Sequence, residues 1–339
     1  MKQFSILLLF ASQSLLAQYN FSKLDVALEN AHHNLSKNMV TLVYKDGKLV
    51  YKKEEGNFTI DTQEPIASCS KWLTTALVMT YIDEGKLSLD DKVSQYLPLF
   101  RTNGKENITI RQCLSHQTGI HQEPVKLYKL LTQKKYKTLE DEVNDFATAR
   151  NLDFDSGSGF YYGTAGINIA ARVVEVIAKK DFIYLMESRI FKPLEMIHSS
   201  FKNNGAPNPS GGGVSSAGDY MNFLIMLLNK GEFKGQRILS EKAVHTMQTT
   251  QTTLNKIRYA PKAAKGMNYA IGSWIQETDL KGNPTVLSCP GLFGTWPMVD
   301  NCRGYACVFF VKSLLGEQKA ATYVSIKKSI DEIFSKKCN

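Results

Sequence analysis

The sequence predicts an α+β fold, in the α/β class broadly defined, with one antiparallel sheet built from both ends of the chain. Three observations predict it. Strand patterns occupy residues 39–51, helical patterns fill the middle of the chain, and strand patterns return after about residue 265. Helices are expected to flank the sheet. We therefore predict a sheet lobe of about residues 18–67 and 265–339 and a central helical lobe of about residues 68–264.

The N-terminal part begins with a predicted helix and a hairpin. Residues 20–35 place apolar side chains on one helical face. Two strand-rich runs, Met39–Tyr44 and Lys48–Tyr51, flank Asp46-Gly47, a pair that is typical of a two-residue hairpin turn. This hairpin is the predicted N-terminal contribution to the sheet.

Capping signals mark most of the helices in the middle of the chain. The helix that holds Ser68 in its first turn is expected to be amphipathic and to end at Gly85, which readily adopts a left-handed C-terminal cap. Residues 121–151 are polar and helical, and we predict a lid or an insertion over a cleft there. The other signals are Thr109 with Gln112, Thr138 with Asp141, Ser216 with Asp219, and helical patterns over residues 165–179 and 240–249.

The C-terminal part returns to strands. Predicted strands cover residues 269–276, 286–289, 298–300 and 305–312, and an amphipathic helix over residues 320–337 closes the chain. The strands would complete the sheet, and a cleft between the two lobes is a common place for a functional site.

The first 17 residues have the pattern of a secretory signal peptide. A short basic start precedes an apolar run, Phe4–Phe10, that is too brief to span a bilayer, and cleavage is expected after Ala17. No later apolar run reaches membrane-spanning length. The mature chain, residues 18–339, is therefore predicted to be exported, periplasmic or secreted, without stable membrane insertion.

Charge and cysteine spacing argue against two classes of partner. The net charge is +9, but the basic residues are scattered and lack interleaved aromatic residues, so no nucleic acid partner is predicted. The six cysteines show no C-x-x-C zinc spacing, so no metal site is predicted. Cys302 and Cys307 flank a short turn, and both a bridge between them and a reduced pair fit the sequence.

Ser68 and Lys71 are the first candidates for chemistry. Residues three apart share a helical face, so the Ser68 hydroxyl and the Lys71 amine are expected to point the same way. A serine needs a neighbouring base, and a lysine becomes one when burial lowers its pKa. The same S-x-x-K spacing occurs twice elsewhere in the chain, so the spacing alone also fits a surface serine beside a solvated lysine.

A histidine and a tyrosine extend the candidate set. His116 ends a predicted helix, and because no acid partner can be assigned to it, a loop-ordering hydrogen bond is expected. Residues 156–164 form a glycine-rich loop before a helix, which would let a tyrosine within it face the cleft and relay a proton. A packing role is the alternative for this tyrosine.

Eight segments occur in a shared order along the chain: Lys45–Val50, Ser68–Lys71, Glu84–Asp91, Ile108–Ile120, Phe160–Thr164, Pro193–Met196, Gly211–Asp219 and Cys289–Thr295. Together they resemble the serine β-lactamase and penicillin-binding-protein superfamily, in the branch of class C β-lactamases, D-amino-acid peptidases and related esterases. The resemblance covers nearly the whole mature chain.

The resemblance implies a β-lactamase/transpeptidase-like fold and a set of roles. Ser68 would be the nucleophile that forms an acyl-enzyme, Lys71 its activating partner and Tyr162 the proton relay. The backbone N–H groups of Ser68 and of Leu292, on the strand after Gly291, would form the oxyanion hole. No cofactor is implied.

Two departures from the family pattern concern the substrate. The Y-x-N motif reads Tyr162-Gly163-Thr164 here, and the K-T-G or H-x-G motif reads Cys289-Pro290-Gly291. Thr164, Cys289 and Gly291 are therefore the predicted substrate-binding residues. A substrate carboxylate would lack its usual cation or imidazole, and losing such a hydrogen bond costs on the order of 1.5 to 3 kcal/mol.

The sequence therefore predicts an exported serine hydrolase that cleaves ester or amide bonds through an acyl-enzyme on Ser68. Its substrate would be a small molecule or a peptide, and a D-peptidase activity would imply a substrate derived from the cell wall. The alternatives are a weak β-lactamase and a non-catalytic ligand-binding homologue, the latter motivated by Thr164 and Cys289.

Overall fold

The computed structural model describes residues 19–124, 136–202, 204–334 and 338, so the predicted signal peptide lies outside the described residues. The strands are β1 Met39–Lys45, β2 Lys48–Glu55, β3 Glu64–Pro65, β4 Phe160–Tyr161, β5 Val214–Ser215, β6 Glu232–Phe233, β7 Gln236–Arg237, β8 Ile257–Tyr259, β9 Asn268–Tyr269, β10 Trp274–Thr278, β11 Pro284–Ser288, β12 Trp296–Asp300 and β13 Tyr305–Val311.

The α-helices are α1 Ser22–Ala31, α2 Ser70–Asp83, α3 Leu99–Thr102, α4 Ile110–Leu114, α5 Leu139–Thr148, α6 Ala165–Ala178, α7 Phe182–Met186, α8 Ala217–Leu228, α9 Glu241–Gln248 and α10 Ala320–Phe334. A short 3-10 turn, Ala67–Cys69, precedes α2. None of the helices in these ranges combines the length and the apolar character needed to cross a membrane.

The main sheet joins both ends of the chain, as the sequence predicts. Its seven strands lie in the order β2-β1-β13-β12-β11-β10-β9, and all neighbours are antiparallel. Strand β1 pairs with β13 from Met39 opposite Val311 to Lys45 opposite Tyr305. The β1–β2 turn has Asp46 at φ 49°, the left-handed conformation that a hairpin of this type requires.

The sheet separates two apolar layers because successive side chains of a strand point to opposite faces. Val40 and Phe310 belong to the large core shared with the central helices. Val43 and Phe309 belong to the second layer, which α1 and α10 cover. Every residue of β13 is buried, which explains its continuous apolar sequence.

Helix α2 lies at the centre of the helical region, and the prediction that it is amphipathic was wrong. Its residues from Ser70 to Tyr81 are all buried, because α6, α7 and α9 pack around it. The predicted capping boxes at Thr109 and Thr138 are confirmed, and the Ser216 hydroxyl accepts a hydrogen bond from the Asp219 N–H as expected for a cap.

Two other predictions need correction. The strand expected over residues 269–276 is two short strands, β9 and β10, because residues 270–273 turn the chain back on itself. The predicted lid over residues 121–151 lies partly outside the described residues, and its described part contains α5.

The cysteine pairing matches neither alternative that the sequence left open. Cys302 forms a disulfide with Cys338, 36 residues further along the chain, while Cys307 is a free and buried thiol. The bridge ties Cys338 to the turn between β12 and β13. A C-terminal helix that covers one apolar layer of the sheet is thereby held in place.

Removing this disulfide is expected to lower the free energy of unfolding. For a loop of 36 residues, the entropy gained by the unfolded chain corresponds to about 4 kcal/mol. The double variant Cys302→Ser, Cys338→Ser should therefore unfold at a markedly lower guanidinium concentration than the oxidised wild type. Reduced wild type is the control, and equal unfolding free energies for the oxidised wild type and the variant would contradict the prediction.

Candidate active site

Ser68 lies in the 3-10 turn at the entrance to α2, two residues before the α-helix begins, whereas the sequence predicts it in the first turn of the helix. Ala67 adopts φ 45°, a left-handed conformation that costs a non-glycine residue about 1 to 2 kcal/mol. The Ile66 N–H donates to the Gly213 carbonyl at 2.9 Å, which continues the pairing of β3 with β5. The Ser68 side chain is therefore positioned by a sharp turn, and the hydrogen bond between Ile66 and Gly213 holds the chain just before this turn.

Lys71 brings its amine to the Ser68 hydroxyl, as the i, i+3 spacing predicts. The Lys71 Nζ lies 3.2 Å from the Ser68 Oγ, and the lysine side chain is almost fully buried, with a relative exposure of 3%. Burial lowers the pKa of Lys71 to about 8, because an ammonium is poorly solvated in this environment. The neighbouring thiols of Cys289 and Cys69 oppose that shift.

The glycine-rich loop after Pro207 supplies a second partner for the lysine. The Lys71 amine donates to the Ser210 carbonyl at 2.7 Å, and the Thr74 hydroxyl donates to the Pro209 carbonyl at the same distance. The Gly213 N–H donates to the Ser70 hydroxyl at 2.9 Å, and a Cβ at residue 213 would lie 2.7 Å from that oxygen. The glycine-rich loop therefore packs closely against the first residue of α2.

Tyr162 packs against the lysine. The Lys71 Nζ lies 4.9 Å from the centroid of the Tyr162 ring, and the tyrosine is 5% exposed. Strand β4 holds the residue in place, since the Tyr162 N–H donates to the Tyr259 carbonyl at 3.1 Å. Trp274 lies on another side of the ring, at 5.1 Å between centroids. Both the predicted relay position and the predicted packing role are compatible with these contacts.

His116 makes the loop-ordering contact that the sequence predicts. Its Nε2 lies 3.2 Å from the Tyr269 hydroxyl, and its ring lies 4.6 Å from the ring of Tyr162. Burial and the nearby Lys71 charge lower the pKa of His116 well below its ordinary value, so the imidazole is neutral. The other ring nitrogen, Nδ1, is buried without a hydrogen-bond partner among the described residues.

Thr164 precedes α6 and is only partly exposed. Its N–H and the N–H of Ala165 both donate to the side-chain carbonyl of Gln122, at 2.7 and 2.9 Å. Gln122 therefore caps the helix that follows Tyr162, a contact from 42 residues away that the sequence patterns did not reveal. The Thr164 hydroxyl makes no cap hydrogen bond.

Cys289, a predicted substrate-binding residue, is buried against the backbone of Ser68. Its thiol donates to the Ser68 carbonyl at 3.2 Å and the residue is 1% exposed. Cys69 is also buried, with its thiol 3.4 Å from the Thr295 carbonyl. The Tyr220 hydroxyl donates to the Cys69 carbonyl at 2.9 Å and fixes the same turn from α8.

Gly291 and Leu292 lie in a turn between β11 and β12, so the prediction that Leu292 is on a strand was wrong. The Gly294 N–H closes this turn on the Gly291 carbonyl at 2.8 Å. Gly291 approaches the turn that holds Ser68 so closely that a Cβ at residue 291 would lie 2.3 Å from the Ile66 carbonyl oxygen. Pro290 interrupts the strand pairing before this point, which accounts for the turn.

The structure therefore collects residues from four distant segments around Ser68. Sequence reasoning missed Ser210, Gln122, Asn168 and Tyr220, because their contacts use backbone groups or cross large sequence separations. Within the described ranges, no group of three or more histidine, cysteine or acidic side chains could hold a metal ion. What the arrangement offers chemically is a hydroxyl beside a buried amine, a phenol ring and a glycine-containing turn.

Comparisons with known proteins identify relatives of this chain. The Staphylococcus aureus (strain MRSA252) teichoic acid D-alanine hydrolase is 29% identical over 189 residues, which are 53% of this chain and 44% of that protein. The chain thus spans less than half the length of the curated relatives that it matches.

Solved structures match over nearly the whole chain. A candidate β-lactamase from Bacteroides dorei DSM 17855 has a TM-score of 0.81 and 27% identity, and covers 91% of this chain and 98% of its own. EstCE1, a hydrolase with promiscuous acyltransferase activity, has a TM-score of 0.76 over 91% of this chain and 97% of its own, and at 19% identity it supports the fold alone.

The family model described as Beta-lactamase matches residues 33–326, which is most of the chain and includes every site residue named above. The β-lactamase/transpeptidase-like fold that the resemblance implied is confirmed. The chain belongs to the Beta-lactamase family.

Proposed function

We propose that this protein is a serine hydrolase that cleaves ester or amide bonds through an acyl-enzyme on Ser68. One observation carries the proposal: the Lys71 amine lies 3.2 Å from the Ser68 hydroxyl and is buried enough for its pKa to fall to about 8. A lysine with that pKa is partly neutral near physiological pH. A neutral amine at hydrogen-bond distance is the base that a serine nucleophile needs.

The proposed reaction has two steps. The Lys71 amine takes the Ser68 proton while the oxygen attacks the substrate carbonyl, and the tetrahedral intermediate then expels the leaving group, which receives a proton through Tyr162. Water attacks the resulting ester, its proton returns through the same groups, and the Ser68 hydroxyl is restored. The contact between the Lys71 amine and the Tyr162 ring, 4.9 Å from nitrogen to ring centroid, supports a role for both residues in this sequence.

The backbone N–H groups of Ser68 and Leu292 are the proposed oxyanion hole. Among the described residues, no hydrogen-bond acceptor pairs with the Leu292 N–H. The tight approach of Gly291 to the Ile66 carbonyl brings this turn against the nucleophile. Two such donors stabilise the negative charge of a tetrahedral intermediate, and each contributes roughly a hundredfold or more in rate.

The substrate is proposed to carry no carboxylate next to the scissile bond. Cys289, which stands where the family has a cation or an imidazole, turns its thiol to the Ser68 carbonyl and is buried. A partly exposed hydroxyl at Thr164 replaces the amide of the family pattern. A D-alanyl ester is the second candidate substrate, because the relative named teichoic acid D-alanine hydrolase matches half of the chain.

A pair of matched depsipeptides tests this specificity. They differ only in whether the carboxylate on the leaving group is free or methyl-esterified. We expect the two kcat/KM values to agree within about threefold, since a charge-assisted hydrogen bond worth 1.5 to 3 kcal/mol would instead favour the free acid by roughly 10- to 150-fold. A chromogenic cephalosporin, which carries such a carboxylate, should accordingly be a poor substrate.

The activity itself is tested with a panel of p-nitrophenyl esters, D-alanyl esters and D-alanyl amides on wild type and Ser68→Ala. Hydrolysis that depends on Ser68 supports the proposal and excludes a non-catalytic ligand-binding homologue. Absence of hydrolysis and of fluorophosphonate labelling in the folded protein would favour that homologue instead.

We also propose that the protein is exported and acts in the periplasm or outside the cell. The apolar run at Phe4–Phe10 and the Cys302–Cys338 disulfide support this, because disulfides persist mainly in oxidising compartments. Cytoplasmic protein that retains residues 1–17 and lacks the disulfide would contradict export.

A further inference from the structure

The second partner of Lys71 is held by side chains that have no contact with Ser68. Ser210, whose carbonyl accepts the 2.7 Å hydrogen bond from the Lys71 amine, is 139 residues away in sequence and fully buried. Its N–H donates to the Asn168 side-chain carbonyl at 3.0 Å. The same residue is therefore fixed at both of its backbone polar groups, one by a buried asparagine and the other by the lysine.

Asn168 is itself oriented by a carboxyl group. It lies in the fourth position of α6 with 0% exposure, and its Nδ2 donates to the Glu142 Oε2 at 2.8 Å. Only a carbonyl oxygen can accept from the Ser210 N–H, and only the amide nitrogen can donate to the carboxyl oxygen, so both ends of the Asn168 amide are assigned by their partners. Glu142 belongs to α5, so the chain of hydrogen bonds crosses from α5 through α6 to the loop.

A fully buried amide inside a helix needs an explanation. Burying an amide costs free energy unless it is hydrogen-bonded, and a leucine at this position would fit an apolar core without that requirement. The neighbours of Asn168 in α6, Ile167 and Ile169, are themselves fully buried and apolar. The polar residue stands at a helical position from which its side-chain carbonyl accepts from the Ser210 N–H.

We propose that Glu142, Asn168 and Ser210 form a lysine clamp, in which Asn168 is a positioning residue that holds the Ser210 carbonyl against the Lys71 amine. The inference rests on the proposed function of Lys71 as the base. A neutral amine carries two N–H bonds and one lone pair, so while one N–H donates to a fixed carbonyl the lone pair is confined to the two remaining directions. The Ser68 hydroxyl lies 3.2 Å from the same nitrogen, so this confinement raises the fraction of time for which the lone pair faces it, compared with a freely rotating amine.

The clamp should also affect the protonation of the lysine. The carbonyl acceptor favours the ammonium form, and the other groups that face Lys71 are the Cys69 and Cys289 thiols, the neutral His116 and the Tyr162 ring. None of these is a carboxylate. If the Ser210 carbonyl moves away, a buried ammonium loses its acceptor and becomes harder to form, so the pKa of Lys71 should fall.

Glu142 acts in the clamp as a hydrogen-bond acceptor. Burial is the largest influence on the Glu142 carboxyl group and raises its pKa. The hydrogen bond from Asn168 and the positive charge of Arg150 lower this pKa, and the negative charge of Asp145 raises it. A glutamine at residue 142 keeps an acceptor oxygen for the Asn168 amide. Glu142→Gln should therefore preserve the clamp, whereas Asn168→Leu removes both of its hydrogen bonds.

The test compares wild type, Asn168→Leu, Glu142→Gln and a matched control, Asn222→Leu. Asn222 also lies in a helix, and its amide donates to the Leu194 carbonyl at 2.9 Å, so the control loses a helix-to-loop hydrogen bond that does not involve Ser210. Ester hydrolysis is measured from pH 6 to pH 10, and thermal unfolding is recorded for each protein. Competitive acetylation, quantified by mass spectrometry of the peptide that carries Lys71, gives the pKa and reactivity of its amine without turnover.

For Asn168→Leu we expect a fall in kcat of about 10-fold or more with KM changed less than threefold, and a midpoint of the pH profile moved below the wild-type value. Asn208 also accepts from the Ser210 N–H, at 3.2 Å, so the loss should be partial. Glu142→Gln should keep both quantities near wild type. Asn222→Leu should lower the unfolding temperature without moving the pH midpoint.

The proposal is overturned if folded Asn168→Leu keeps the wild-type acetylation pKa of Lys71, or raises it, or if the control shows the same shift. These outcomes concern only the clamp. The proposed function still stands if the wild type hydrolyses esters in a Ser68-dependent reaction. If wild type shows no Ser68-dependent hydrolysis, the proposed function fails, and the acetylation pKa still decides whether the clamp acts on Lys71.

Discussion

Replacing Ser68 by alanine is expected to abolish ester hydrolysis, with a loss in kcat on the order of 10⁴-fold or more. The reason is that Ser68 is the proposed nucleophile, and removing a nucleophilic serine typically leaves only the contribution of the oxyanion hole and of binding. The measurement is kcat/KM for a p-nitrophenyl ester. Intact mass after fluorophosphonate treatment should show one adduct on wild type and none on Ser68→Ala.

A matched control exists in the chain for this experiment. Ser325 and Lys328 have the same S-x-x-K spacing, but both are exposed on α10. Ser325→Ala should therefore leave hydrolysis and labelling unchanged. Hydrolysis or an adduct that persists in folded Ser68→Ala would show that another residue is the nucleophile.

Replacing Lys71 by methionine is expected to lower kcat/KM by roughly 10²- to 10⁴-fold, the usual contribution of a general base. Methionine has a similar length, which limits the cavity, but it cannot accept the Ser68 proton. Wild-type kcat/KM should rise with pH through about 8 and then level off, because burial lowers the pKa of Lys71 to about 8 and only the neutral amine is a base. This rising limb should be absent in Lys71→Met.

The pH profile separates a buried base from a solvated one. A lysine in water titrates near 10.4, so an exposed Lys71 would place the rising limb about two pH units higher. Lys328→Met, which removes an exposed lysine of the same spacing pattern, is the control and should retain the wild-type profile. A rising limb near pH 8 that persists in Lys71→Met would assign the base to a different group.

Local sequence patterns predicted the elements of the fold well. The Asp46-Gly47 turn, the capping boxes and the strand patterns of β1 and β13 each depend on residues a few positions apart, and all are confirmed. The patterns were less informative where tertiary contacts override them. Helix α2 is buried on every side, and Pro290 ends a strand that the motif spacing would have continued through Leu292.

The candidate site shows the same difference between features that local patterns predict and features that tertiary contacts decide. The i, i+3 spacing was sufficient to bring the Ser68 hydroxyl and the Lys71 amine together, because a helical turn fixes that geometry wherever it is placed. The disulfide partner of Cys302 was not predictable, since pairing depends on which chain ends the fold brings together. The role of Asn168 was also not predictable, because the residue lies within an apolar helical pattern and its partners are distant in the sequence.

By itself, the sequence determined the order of most helices and strands, the family, and the pairing of the Ser68 hydroxyl with the Lys71 amine. These features follow from short-range patterns and from the order of motifs along the chain. Only the tertiary structure decided that Lys71 is buried, that its second partner is a carbonyl 139 residues away, and that Cys289 serves the Ser68 backbone 221 residues away. Burial and long-range hydrogen bonds set the pKa of an amine, and neither is a property of neighbouring residues in the chain.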